Sequence, residues 1–488
     1  MASGSCLLLW LLLVLPSFPI SSASCRGIRL ELTHADTRGD FTGIERIRRA
    51  ADRSHRRVNG LLAAAPPSPA TLQSGGADET AAVHASAATY LVDLAIGTPP
   101  LPITAVLDTG SDLIWTQCNA PCRKCFPQPT PLYAPARSAT YANVSCRSSP
   151  CEALRNPRYH CSAPDPGCAY YFSYGDGTST DGTLATETLT LGSGTTVRGI
   201  AFGCGTENLG STDNSSGLVG MGRGPLSLAS QLGITVGRRY SPEHLPAVLS
   251  GDTHRSTSQP CSLPRSETLT DKGTQRQLKY PTITRFSYCF TPFSDKTASP
   301  LFLGPSATLS TTAQSTPFAP SPAGGRRSSY YYLTLEGITV GETLLPIDPA
   351  IFQLSPMGGG RFIIDSGTTF TALEERAFVV LARAVAARVG LPLASGVHLG
   401  LSLCFAAPEG KTEAVDVSRL VFHFDGAGMA LPRESYVVED RNVGVACLVM
   451  VSMRGMSVLG SLQQQSMHFL YDLDGGVLSF EPAECGEL

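Results

Sequence analysis

Asp108-Thr109-Gly110 and Asp365-Ser366-Gly367 repeat one pattern in the two halves of the chain: an apolar run, an Asp, a hydroxyl residue, a Gly, and a second hydroxyl residue at Ser111 or Thr368. The chemistry open to such a pattern needs two carboxylates in contact. One is ionised and takes a proton from water, while the other is protonated and donates to a carbonyl oxygen. Like charges about 3 Å apart cannot both ionise, so a symmetric pair shares one proton and titrates in two separated steps. A duplicated lobe supplies such a pair. Ala105-Val106-Leu107 and Phe362-Ile363-Ile364 read as buried central strands that end at each Asp. Gly110 and Gly367 then allow a tight turn that presents the carboxyl group. Thr109 and Ser366 can bond across the pseudo-dyad, and Ser111 and Thr368 can each donate to the neighbouring carboxylate. One Asp-Thr-Gly alone is an ordinary turn sequence; two copies in matching contexts predict a catalytic pair.

The longer segments VLDTGSDLIWTQC (residues 106–118) and FIIDSGTTFTAL (residues 362–373) resemble the pepsin family of aspartic proteases. Cys118, Cys122, Cys125, Cys146, Cys151, Cys161, Cys168, Cys204, Cys289, Cys404, Cys447 and Cys485 resemble the twelve-cysteine pattern of its nepenthesin-type plant subgroup, and the likeness runs over residues 90–485. The resemblance implies a mainly β, bilobal fold, with two pseudo-symmetric β-rich lobes and the active site in the cleft between them. It implies an acid endopeptidase that binds extended protein or peptide substrates and works with no metal, cofactor or covalent intermediate. Tyr174 and Gly175, in Tyr-Gly-Asp-Gly, resemble the flap that closes over substrate, and Trp115 the tryptophan that packs against it. Leu218-Val219-Gly220 and Val458-Leu459-Gly460 resemble the strands that thread behind the catalytic loops. The bridges it implies are Cys118 to Cys122, Cys125 to Cys204, Cys146 to Cys168, Cys151 to Cys161, Cys289 to Cys485, and Cys404 to Cys447. The competing reading is a non-catalytic binding or inhibitor protein on the same scaffold, but such proteins typically lose motif or flap residues, and here both motifs and Tyr174 stand.

Residues 1–23 read as a signal peptide, with an apolar run at residues 7–15 and small residues Ser21-Ser22-Ala23 for cleavage. That run is short for a membrane span, and the polar tail carries no anchor signal. The expected product is a secreted, extracellular or apoplastic monomer, with the vacuole as the alternative. Fifteen cysteines suit an oxidising compartment. Cys122-Arg-Lys-Cys125 could begin a zinc site, but no second pair follows at matching spacing. Asn143-Val-Ser145 and Asn214-Ser-Ser216 are glycosylation sequons.

Residues 24–84 differ in character from the body and read as a prosegment with its linker. Arg46, Arg48, Arg49, Arg53, Arg56 and Arg57 crowd a helix-compatible stretch at residues 44–57. A nucleic-acid patch is the bland reading of such charge, but a secreted chain rarely meets nucleic acid. By resemblance, the basic segment is an intramolecular inhibitor that pairs with cleft carboxylates. The Ala, Pro, Ser and Gly-rich residues 63–88 read as an exposed linker suited to activation cleavage. The remaining length, about 400 residues, is too large for one core and suits two lobes, at residues 85–290 and 291–488. Residues 236–284 interrupt the first lobe as an atypical insert that holds an unpartnered Cys261. One strong helix is predicted over residues 373–389, and alternating runs such as Thr186–Leu191 predict antiparallel strands.

Overall fold

The computed structural model describes residues 27–63, 90–154, 167–210, 215–233, 285–321, 329–353, 361–407 and 415–488. The expectations for the signal peptide, the linker, Cys161, Asn214 and the insert with Cys261 lie outside those residues. Among the described residues no helix is long and apolar enough to cross a membrane.

The fold is mainly β and bilobal. Three strands near the chain's start form its centre: β1 (Ile28–His34), β2 (Tyr90–Ile96) and β3 (Leu101–Asp108). They lie side by side in a fourteen-stranded sheet. On one flank, β1 pairs antiparallel with Ser299–Leu303, which continues through Arg285–Cys289, Met467–Asp472 and Val477–Pro482. On the other, β3 leads through Gly217–Gly220, β4 (Trp115–Gln117) and Thr195–Leu209 to Ser179–Leu191. The sheet therefore joins both lobes, and the predicted prosegment supplies one of its inner strands. Leu30 and Leu32, buried at alternate positions of β1, face the main core.

Asp108 ends a strand and Asp365 directly follows one, each inside a repeated unit. Asp108 closes β3, which runs parallel to Gly217–Gly220 with Asp108 opposite Gly220, and β4 pairs antiparallel to that same strand at Trp115↔Leu218. In the second lobe Phe362–Ile364 runs parallel to Ser457–Leu459, and Thr371–Glu374 meets it antiparallel at Ala372↔Val458. These are the apolar-apolar-Gly segments expected behind each loop. The predicted helix at residues 373–389 begins later, at Glu375, because Leu373 and Glu374 finish a strand bonded parallel to Met450–Met453. Glu374 then caps the helix by accepting from the Arg376 N–H.

Helix α1 (Gly43–Ala63) starts from a capping box: the Thr42 N–H donates to Glu45 Oε2 at 2.7 Å, and the Glu45 N–H to Thr42 Oγ1 at 3.3 Å. Ile47, Ala50, Ala51, Val58 and Leu61 form its buried side and share one apolar cluster with Phe293, Phe370, Leu399 and Leu401 of the second lobe. Burial at this spacing, more than intrinsic propensity, holds the helix in place.

The disulfides correct the expected pairing in the first lobe. Cys118 joins Cys204, Cys122 joins Cys125, and Cys151 joins Cys168. Sheet register is the reason for the first of these: β4 runs parallel to Thr195–Leu209 with Thr116 opposite Cys204, which brings the Cys118 and Cys204 Cα atoms to 5.3 Å. With Cys204 and Cys168 so engaged, neither Cys125 to Cys204 nor Cys146 to Cys168 forms, and Cys118 to Cys122 and Cys151 to Cys161 are likewise excluded. Cys146 is also disulfide-bonded. Cys289 to Cys485 and Cys404 to Cys447 stand as expected. Non-reducing peptide mapping checks this: a linked pair of peptides holding Cys118 and Cys204 is expected, and one holding Cys125 and Cys204 would overturn the assignment.

Candidate active site

Asp108 and Asp365 are both fully buried, and each is held by its own loop. Asp108 Oδ1 accepts from the Gly110 N–H at 3.1 Å and its Oδ2 from the Ser111 hydroxyl at 2.5 Å. Asp365 repeats this with the Gly367 N–H at 2.9 Å and the Thr368 hydroxyl at 2.6 Å. Thr109 and Ser366 lock the loops together: each backbone N–H donates to the other's hydroxyl oxygen, at 3.0 and 2.9 Å. Neither Gly110 nor Gly367 has a positive φ, so the need for glycine is spatial. A Cβ at Gly110 would stand 2.7 Å from Asp365 Oδ1, and one at Gly367 would stand 2.3 Å from Asp108 Oδ1.

The guanidinium of Arg57 lies between the two carboxylates. Its Nη2 is 2.9 Å from Asp365 Oδ2 and 3.3 Å from Asp108 Oδ1, and all three side chains are almost wholly shielded from water. Burial pushes Asp108 up to about 6, against the pull of Arg57 and with help from the neighbouring Asp365 charge. Burial alone would raise Asp365 too, but Arg57, the Thr368 hydroxyl and the Gly367 N–H hold it below the ordinary carboxylate range. The pair is thus unequal, one acid poised to gain a proton and one kept ionised.

Of the six arginines at residues 46–57, only Arg57 reaches the dyad. Arg53 and Arg49 both pair with Asp36, which is itself in the predicted prosegment and fully buried, at 2.5 and 2.6 Å. Burial would raise Asp36, yet its hydrogen bond to Arg53 and that residue's charge hold it below its usual range. Beside it His34 is pushed down to about 3 by burial and by Arg53, and its Nδ1 accepts from the Asp36 N–H. Arg46 donates to the Phe293 carbonyl at 2.5 Å. The signal for this division was present in the sequence: Arg46, Arg49, Arg53 and Arg57 recur at helical spacing along one face, whereas Arg48 is exposed.

The flap candidate is the turn between Ala169–Ser173 and Ser179–Leu191. The Tyr174 N–H bonds the Thr178 carbonyl at 2.7 Å, and Asp176 accepts from the Thr178 N–H at 3.0 Å. Gly175 follows Tyr174 in this turn. The rings of Trp115 and Tyr174 lie 6.4 Å apart. The Tyr174 hydroxyl and Trp115 Nε1 are both buried and near each other, but no hydrogen bond of normal geometry joins them. Asn143 is exposed on its strand, and its Oδ1 accepts from the Tyr141 hydroxyl.

Three consecutive glutamines escaped the sequence reading. Gln463 accepts from the Thr371 N–H at 2.7 Å, Gln464 donates to the Leu459 carbonyl at 2.9 Å, and Gln465 donates to the Tyr90 hydroxyl at 2.9 Å. All three are buried. A run of polar residues directly after Val458-Leu459-Gly460, a segment expected to be interior, was the available clue.

Two domain profiles match the chain, described as xylanase inhibitor N-terminal over residues 90–241 and xylanase inhibitor C-terminal over residues 330–482. The chain is similar to aspartic proteinase nepenthesin-1 of Nepenthes gracilis, with 37% identity over 467 residues that cover 95% of this chain and 92% of that protein. It is similar to aspartyl protease 37 of Oryza sativa subsp. japonica, with 33% identity over 513 residues that cover 98% of this chain and 99% of that one. Among solved structures it is similar in fold to edgp, with TM-score 0.61 and 16% identity, covering 94% of this chain and 96% of that one. The basic 7S globulin from soybean is a second such structure, with TM-score 0.56 and 17% identity over 82% of this chain and 94% of that one.

Proposed function

This chain belongs to the pepsin-like plant aspartic proteases, and from that premise we propose that it is an acid endopeptidase held latent by its own residues 24–84. The observation that carries the reading is the buried pair Asp108 and Asp365, each with its own donors and joined through Thr109 and Ser366. In the monoprotonated pair the ionised carboxylate takes a proton from water, and the protonated one donates to the scissile carbonyl oxygen. The flap turn at Tyr174 and Gly175 closes over an extended protein or peptide substrate and excludes bulk water. The inhibitor use of the scaffold is favoured by the description of the two matching domain profiles; the endopeptidase reading is preferred because every group the pair needs is in place. The same reading takes residues 1–23 as a secretion signal and Asn143 and Asn214 as glycan acceptors, with the apoplast or, failing that, the vacuole as destination.

Latency follows from charge. While Arg57 occupies the cleft it depresses both carboxylates relative to an open cleft, so release is coupled to proton uptake. The Arg57 contact is complete above the open-cleft value of Asp108 and weakens as pH falls through about 6. That same proton creates the monoprotonated pair the reaction needs. Asp36 and Asp365 are both lowered, so their ion pairs persist to more acidic pH than the contact of Arg57 with Asp108. Loosening accordingly starts at Asp108, at the Arg57 end of α1, while Asp36 still holds the other end.

Asp36→Asn tests this order. It removes the anion from a buried pair with Arg53 and leaves that charge uncompensated, a change that costs about 3–5 kcal/mol. The expected result is a lower thermal midpoint at neutral pH and faster amide exchange in residues 28–63, with the activated enzyme's kcat unchanged. Unaltered exchange would show that Asp36 does not hold the segment. The function itself is tested by cleavage of a denatured protein substrate after acid treatment of the purified chain, where a folded chain inactive at every pH contradicts it.

A further inference from the structure

Beneath the dyad three polar side chains, Tyr288, Gln464 and Tyr471, are fully shielded from water. Tyr288 lies on Arg285–Cys289 and Tyr471 on Met467–Asp472, neighbouring strands of the sheet shared by the lobes. Stacking of Phe286 on Tyr471 at 4.5 Å and of Phe290 on Tyr288 at 4.3 Å fixes both phenol rings.

The direction of every bond in the cluster can be assigned. Gln464 Nε2 lies 2.9 Å from the Leu459 carbonyl and 3.4 Å from the Asp365 carbonyl. Carbonyls only accept, so the amide NH2 faces them and Oε1 faces Tyr288. The Tyr288 hydroxyl must then donate to Oε1, at 2.6 Å. Its oxygen is left to accept from the Tyr471 hydroxyl, 2.8 Å away.

From this one-way chain we propose that Tyr471, Tyr288 and Gln464 are positioning residues for the dyad: they form a buried relay that ends on the Asp365 carbonyl of the second catalytic loop. The inference rests on the protease reading above. The second loop is anchored at its backbone by a buried relay as well as by its partner loop. A chain of aligned hydroxyls strengthens each of its own bonds, so cutting one link weakens the rest. The side held is that of Asp365, the carboxylate that must stay ionised.

The test is Tyr471→Phe in the acid-activated full-length chain. We expect kcat to fall about tenfold with KM within about twofold, and the acid limb of the kcat/KM profile to move up by roughly half a pH unit as the donors around Asp365 loosen. Tyr133→Phe serves as control, since the Tyr133 hydroxyl bonds buried Glu187 away from the dyad; it should change the thermal midpoint and leave the profile in place. If Tyr471→Phe does not fold, Gln464→Glu carries the same test, because a carboxylate cannot donate to the two carbonyls until it is protonated. Active wild type together with an unshifted profile in the variant overturns this inference alone. A wild type silent under the same conditions overturns the protease reading as well.

Discussion

Asp108→Asn and Asp365→Asn should each cut turnover by about a thousandfold or more while leaving the chain folded. The amide is nearly isosteric: its oxygen accepts from the Gly110 or Gly367 N–H, and its NH2, in place of the second carboxylate oxygen, donates to the Ser111 or Thr368 hydroxyl once that hydroxyl turns its lone pair, so the loops stay joined. What it lacks is the titrating proton. With Asn at position 365 no ionised group remains to take a proton from water at the pH where Asp108 is protonated; with Asn at position 108 the acid that donates to the carbonyl is gone. Because the two act as a unit, the double variant should be little worse than either single one. Substrate cleavage and circular dichroism are compared after the same acid treatment, with the linker cut by an unrelated protease where self-cleavage fails. More than a tenth of wild-type hydrolysis in either variant would sink the assignment.

Arg57→Gln is expected to shift the onset of activity to higher pH. Arg57 lies against both carboxylates and pulls Asp108 down, yet burial and Asp365 still leave Asp108 near 6. Without the guanidinium its value rises further, by about one unit or more for a contact this close and this dry. The monoprotonated pair is then populated closer to neutrality, and the segment loses its charged anchor in the cleft. Hydrolysis by the uncleaved variant should therefore be measurable near neutral pH, where the wild type is silent. An onset that coincides with the wild type's would mean that Arg57 does not set latency. Asp36→Asn, by contrast, acts on how the segment is held and leaves the pair's own titration alone.

Local patterns were legible, and distant pairings were not. The two Asp loops, their apolar strands and the segments behind them could be read because each is a short run whose residue types state its role. The capping box at Thr42 and Glu45 and the one-faced spacing of the α1 arginines were equally local signals, but the sequence reading took from that stretch only a basic, helix-compatible segment. Pairing of Arg53 with Asp36, by contrast, depends on how β1 turns back against α1. That β1 enters the sheet between Ser299–Leu303 and β2 is a matter of tertiary register that its own seven residues do not encode. The first-lobe disulfides failed for the same reason: parallel pairing of β4 with Thr195–Leu209 decides that Cys118 meets Cys204. The Gln464 chain joins residues far apart in sequence, and Tyr288 and Tyr471 alone read as ordinary core aromatics.

One proton loosening Arg57 and arming the pair is the claim on which everything else depends. Its direct measurement is hydrolysis of a protein substrate by the purified full-length chain as pH is lowered stepwise, with the N-terminus sequenced at each step. A chain silent near neutral pH, gaining activity as pH falls below about 6 and cut within residues 63–88, is the predicted result. Full activity at neutral pH with residues 24–84 still attached, or a folded chain with both Asp residues intact that cleaves nothing at any pH, would contradict it.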